Sequence, residues 1–130
     1  MQQSRYHKQE KVMSINVLIV EDHFETAEIL QEYLADNNIH ADIATDGKKA
    51  LEAAGKKTYH CILTDVMLPD VNGLTVANQI HVKNQQVRII FVTAKQISKT
   101  AIKQKLGFDC KIIEKPCKPS EILRVIKQTN

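Results

Sequence analysis

The sequence predicts an α/β fold: a single domain built on a doubly wound, five-stranded parallel sheet, strand order 2-1-3-4-5, with five helices. Three observations predict it. Short apolar runs rich in β-branched residues recur along the chain and are too brief for helices. Segments with apolar residues at helical spacing separate them. Asn, Gly and Pro punctuate the joins. Strict alternation of strand and helix calls for parallel strands joined by right-handed crossovers, with helices on both faces.

Ile15–Val20 (INVLIV) is the first apolar run and reads as a buried strand. Glu25–Asp36 follows as a helix, with Ala27, Leu30 and Leu34 on one face and a stop at Asn37-Asn38. Ile39–Ala44 is a less apolar strand, suited to a sheet edge. Asp46-Gly47 is a turn, and Lys48–Lys56 an Ala-rich helix. Cys61–Thr64 is a third strand, and Pro69 and Asn72-Gly73 mark the loop after it. Leu74–Val82 is a helix and Val87–Val92 (VRIIFV) the fourth strand. A Lys-rich helix over Ser98–Leu106 ends at Gly107, and Lys111–Ile113 is a brief fifth strand. The last helix begins at Pro119, whose fixed φ suits a first helical position.

At 130 residues, 43% hydrophobic and 25% charged, the chain has the make-up of one ordinary globular domain. No apolar run reaches the roughly 18 residues of a membrane span, and MQQSRYHKQEK is too polar for a signal peptide. Cys61, Cys110 and Cys117 make an odd count without a Cys-x-x-Cys pair, which points to a reducing, cytoplasmic setting. Residues 1–14 read as a flexible basic tail ahead of a domain spanning 15–130. The net charge of +3 is uneven: residues 1–94 carry nine basic against twelve acidic residues, residues 95–118 seven against two. Such lysines usually form a solvated helical face, and a docking surface for an acidic partner is the alternative.

A doubly wound sheet places chemistry outside the carboxyl ends of its strands, where the order reverses. Glu21-Asp22 follow strand one, Asp65 strand three, Thr93-Ala94 strand four, and Glu114-Lys115-Pro116 strand five. Three carboxylates on one partly desolvated rim repel, so a proton or a cation must come between them. Hard oxygen donors without Cys or His suit Mg2+. Lys and Thr are groups that receive the oxygens of a phosphoryl group, and Asp is a known phosphoryl acceptor.

Four runs together carry a resemblance: Val20-Glu21-Asp22-His23, Asp65 through Gly73 (DVMLPDVNG), Thr93-Ala94 and Lys115-Pro116. In this order and at these separations the chain resembles the receiver domain of two-component response regulators, with its flavodoxin-like, CheY-like fold, from about Ile15 to Gln128. The resemblance implies that Asp65 is the phosphoacceptor, in a Mg2+-dependent transfer from a sensor histidine kinase or a histidine phosphotransfer protein. It implies that Asp22 and, through water, Glu21 hold the ion together with Asp65 and the backbone carbonyl of Met67. Lys115 would pair with the acceptor and then with the phosphoryl group, from beside a cis bond to Pro116. Thr93 would swing inward, turning the added charge into a shape change on the face of helix four, strand five and helix five. That face would meet a downstream partner or output domain, or a second copy in a phosphorylation-dependent homodimer. On this view the chain is a signalling switch that catalyses its own phosphorylation and dephosphorylation rather than a turnover enzyme. It works in the cytoplasm, with no nucleic acid and no membrane among its direct partners.

The chain departs from that pattern. The family's aromatic residue, three places before the lysine, is Ile112 here, or Lys111 if one residue is inserted after Gly107. Either removes the aromatic rotamer switch, so the readout should differ while the chemistry survives. Met67 and Lys95 take the two positions that tune phosphoryl lifetime, and Met67, unable to position a water, should lengthen it. His23 reads as a helix start, Cys61 as a small core residue, and Cys110 and Cys117 as exposed thiols. Two other readings are a phosphorylation-independent module of the same fold and a phosphohydrolase. The second wants an acid where Met67 stands. Four dispersed glycines cannot form a phosphate-cradling loop for a nucleotide. Both a stand-alone regulator and a receiver belonging to a longer protein remain open.

Overall fold

The elements form where hydrophobic period and local capping agree. The computed structural model describes residues 14–94 and 96–128. The order is β1 (Ile15–Val20), α1 (Phe24–Ala35), β2 (Ile39–Ala44), α2 (Gly47–Lys56), β3 (Cys61–Thr64), α3 (Gly73–Lys83), β4 (Arg88–Ala94), α4 (Lys99–Lys105), β5 (Lys111–Lys115) and α5 (Pro119–Lys127). The five strands are parallel in the order β2-β1-β3-β4-β5. The doubly wound sheet expected from alternation is the observed one. The tail reading falls almost entirely on residues 1–13, outside the described ones.

Alternation along each strand divides the core. Leu18, Val20, Ile62, Ile89 and Phe91 face α2, α3 and α4, joined there by Ala50, Val76, Ala77 and Ile102. Val17, Ile19, Cys61, Leu63 and Ile90 face the opposite way, against Ala27 and Leu34 of α1 and Ile122 and Ile126 of α5. β3 is buried along its whole length, whereas β2, at the sheet edge, is fully buried only at Ile39, Ala41 and Ala44.

Caps set the helix ends. Asp46 accepts from Lys49 N at 2.8 Å to start α2, and Ser98 from Ala101 N at 3.1 Å to start α4. Glu121 Oε1 accepts from Lys118 N at 2.8 Å behind Pro119 at the start of α5. α1 ends at Ala35, and the turn into β2 passes through Asn38, whose φ of 65° is a left-handed conformation Asn tolerates. Arg88 donates to the carbonyls of Ile126 at 2.7 Å and Val125 at 2.9 Å, closing the end of α5.

The expected bounds change at two places that matter. β4 runs on through Thr93 and Ala94, and β5 through Glu114 and Lys115. Register pairs Thr93 with Glu114 and Ala94 with Lys115, so the two strands carry each other to the rim. Ladder hydrogen bonds, which do not depend on side-chain polarity, extend strands past the apolar runs that announced them.

Candidate functional site

β1, β3 and β5 deliver Glu21, Asp65 and Lys115 to one rim of the sheet. Lys115 Nζ donates to Asp65 Oδ2 at 2.9 Å and lies 3.6 Å from Glu21 Oε1. The protein's own ammonium thus stands between these two carboxylates. Burial alone pushes the Lys115 ammonium's pKa down, but Asp65 and Glu21 together outweigh it and hold the group above its ordinary value. The Lys115-Pro116 bond is cis.

Asp65 Oδ1 accepts two further hydrogen bonds, from Thr93 Oγ1 at 3.1 Å and from Met67 N at 3.0 Å. Thr93 is 1% exposed, so its hydroxyl already lies inside against the acceptor rather than waiting to swing in. The loop after β3 is tight. Met67 bridges Asn72, and Gly73 N donates to Val66 O at 2.7 Å. The Met67 side chain points out, 68% exposed. Lys95 lies outside the described residues.

Glu21, Asp22 and His23 each offer a ligand atom within 4.8 Å of the others. His23 occupies the N-cap position of α1, as expected of a helix start, but its side chain makes no capping hydrogen bond. Its ring Nδ1 turns to the acids instead, 3.4 Å from Glu21 Oε2 and 3.5 Å from Asp22 Oδ1. A cleft of about 710 Å3 opens beside these groups, its floor polar at Glu21, Asp65 and Lys115 and its walls apolar at Leu30 and Ile122.

The chain matches the family model of the response regulator receiver domain over residues 17–127. This protein belongs to the response regulator receiver domain family. It is 46% identical over 79 residues to the response regulator ArlR of Staphylococcus saprophyticus, covering 61% of this chain and 36% of that one. A CheY-like receiver domain from Methanospirillum hungatei superimposes with a TM-score of 0.80 at 23% identity, covering 88% of this chain and 92% of the other. The receiver domain of a sensor histidine kinase from Pseudomonas aeruginosa, solved with magnesium in its active-site cleft, gives 0.75 at 24% identity over 88% and 96%. The chain spans between about a third and a little over half of the length of the curated relatives it matches first. Among the described residues no helix is long and apolar enough to cross a membrane.

Several receiver positions resolve once the strands are in register. Ile112 pairs with Phe91 and packs on the Phe91 face of the sheet, while Lys111 is exposed. Of the two residues that could stand at the family's aromatic position, Ile112 thus packs inward and Lys111 faces solvent, as the two-residue period of a strand requires. Lys99, Lys103 and Lys105 are exposed along α4, with Lys99 3.8 Å from Glu114. Cys110 is not an exposed thiol: it is 8% exposed, belongs to the same buried cluster as Leu106 and Phe91, and burial raises its pKa. Burial also raises Cys117, which is half-buried, and pushes Cys61 up to about 12.

Asp70 is the participant that sequence reasoning passed over. Its Oδ1 and Oδ2 accept from Gly47 N at 2.8 Å and Lys48 N at 2.9 Å, tying the acceptor loop to the start of α2. Those two backbone hydrogen bonds lower its pKa. The sequence signal was an Asp in the loop and an Asp-Gly turn elsewhere, with nothing to join them.

Proposed function

We propose that this chain accepts a phosphoryl group on Asp65 from a phosphohistidine of a sensor kinase or a histidine phosphotransfer protein. The observation that carries this reading is the grip on Asp65: Lys115 on one carboxylate oxygen at 2.9 Å, Thr93 on the other at 3.1 Å. A carboxylate oxygen attacks phosphorus, the phosphorus–nitrogen bond of the donor breaks, and the imidazole leaves with a proton from solvent. Lys115 and Thr93, which hold the carboxylate before transfer, are placed to take up phosphoryl oxygens afterwards. The bound group adds about 1.5 to 2 negative charges beside them.

Asp22, Glu21, Asp65 and the Met67 carbonyl are the groups that would hold Mg2+, and a partly exposed set of hard oxygen donors fits that ion. When bound, it neutralises the charge that builds on the transferring oxygens. Thr93 is the residue through which the new charge would reach the α4-β5-α5 face, since Ile112 has no ring to turn. A downstream partner, an output domain or a second copy would read that face. The chain acts as a switch on itself, in the cytoplasm, and not as a turnover enzyme.

Incubation with Mg2+ and acetyl phosphate tests the reading. The expected product is a base-labile mass increase of one phosphoryl group, absent from Asp65→Asn and without Mg2+. An adduct that persists in Asp65→Asn refutes it.

A further inference from the structure

We propose that His23 is a ligand of the divalent-ion site beside Asp65, and that it gives this site a preference for borderline transition ions such as Zn2+ or Co2+ over Mg2+. The inference rests on Glu21 and Asp22 being metal-holding groups, and concerns which ion they take.

His23 directly follows the acid pair, and the turn into α1 puts its ring over them. Its backbone N–H is held by Glu21 Oε2 at 3.0 Å, which fixes the main chain there. Ring Nδ1 stands 3.4 Å from that same oxygen and 3.5 Å from Asp22 Oδ1. Adjacent donors on a tetrahedral ion with bonds of about 2.1 Å are separated by roughly 3.4 Å. The imidazole thus stands from each acid as one ligand of a small ion stands from the next, and the three donors lie within 4.8 Å of one another, with solvent left for a fourth position.

Glu21 divides its carboxylate between two tasks. Oε1 faces Lys115 at 3.6 Å, while Oε2 faces His23. A carboxylate oxygen has a second lone pair to offer after accepting one backbone N–H. The phosphoacceptor's amine and a metal on the His23 side need not compete for one oxygen.

An imidazole changes what such a site selects. Mg2+ takes carboxylates, carbonyls and water and gains nothing from a nitrogen donor. Zn2+, Co2+ and Ni2+ bind imidazole well and outrank Mg2+ on mixed nitrogen–oxygen sites. The His23 side chain is 79% exposed, so it can adjust to an ion, and its removal disturbs no core packing.

The test titrates the full chain with Co2+ alone and with Mg2+ alone, by calorimetry and by the visible absorption of Co2+. The expected result is Co2+ binding at least tenfold tighter than Mg2+, with the intense visible bands of a low-coordinate site. His23→Ala should weaken Co2+ at least tenfold and change the spectrum, while Mg2+ affinity does not fall. Co2+ affinity and spectrum indifferent to His23→Ala, or wild-type Co2+ no tighter than Mg2+, overturns the proposal. Asp22→Asn separates the two levels. Loss of both ions in Asp22→Asn together with indifference to His23→Ala retires His23 alone, whereas both ions binding Asp22→Asn as tightly as wild type retires the metal site itself.

Discussion

Gly73 opens α3 directly behind the phosphoacceptor, and replacing it with alanine is the sharpest test of how the site is held. Its backbone is not in the left-handed region, so the demand for glycine is one of space. An added Cβ would fall well inside 3.0 Å of the Asp65 carbonyl oxygen, and at 3.0 and 3.1 Å from Asp65 C and Val66 Cα. All three obstacles are backbone, and Gly73 N is bonded to Val66 O at 2.7 Å, so the segments cannot part without stretching that hydrogen bond. Overpacking of about 1–3 kcal/mol plus about 1 kcal/mol of hydrogen bonding gives roughly 2–4 kcal/mol of destabilisation. The same substitution at Gly55, inside α2, meets nothing within 4 Å. It should stabilise by about 0.5–1 kcal/mol, because alanine loses less backbone freedom in a helix. Urea unfolding of the two variants beside wild type reads the difference, with opposite signs expected. Relieving the clash also moves the acceptor by roughly an ångström, enough to slow adduct formation in the folded protein by about a hundredfold. Gly73→Ala within 0.5 kcal/mol of wild type, or phosphorylated at the wild-type rate, would refute this picture of the loop.

Two further outcomes follow from the same contacts. Thr93→Val keeps the volume but removes the hydroxyl from Asp65 Oδ1, leaving Met67 N as that oxygen's partner. Losing about 1.4 kcal/mol of hydrogen bonding to the transferring phosphoryl oxygens slows acetyl-phosphate adduct formation about tenfold, and an unchanged mass-spectrometric time course would exclude a role for the hydroxyl. At the edge of the sheet Asp42 accepts from Tyr59 OH at 2.6 Å, His40 Nε2 at 3.0 Å and Lys57 Nζ at 3.1 Å. Burial pushes its carboxyl up, but these donors outweigh it and hold the pKa below the ordinary range. A depressed carboxyl contributes stability that is present above the unfolded-state value and lost as pH falls through the folded one. Tyr59→Phe should therefore lower Tm modestly at neutral pH and flatten the fall in Tm on acidification; an acid limb identical to wild type contradicts this assignment of the hydrogen bond.

Glu21, Asp65, Thr93 and Lys115 were legible as a site because each stands at the carboxyl end of a run whose strand character is local. Once five such runs alternate with helices, handedness leaves one rim for those ends, and the residues meet without any knowledge of packing. Asp70 was not legible. Its partners Gly47 and Lys48 lie in another loop, and nothing in a turn-forming Asp states which helix it caps. Cys110 read as exposed because it sits in a polar segment, but it is buried at the edge of the core cluster that holds Leu106 and Phe91.

By itself, then, the order of residues determined the α/β alternation, the strand order and the set of chemical groups on one rim, since period, capping and crossover chirality act over short stretches of chain. Tertiary structure alone decided the rest. The register of β5 on β4 turned Ile112 inward and Lys111 to solvent, the turn into α1 aimed the His23 ring at the acids, and the reach of Lys115 across the rim placed one amine between Glu21 and Asp65. Each of these depends on atoms brought together from separate elements or on a side-chain direction, and neither is written in any local run of the sequence.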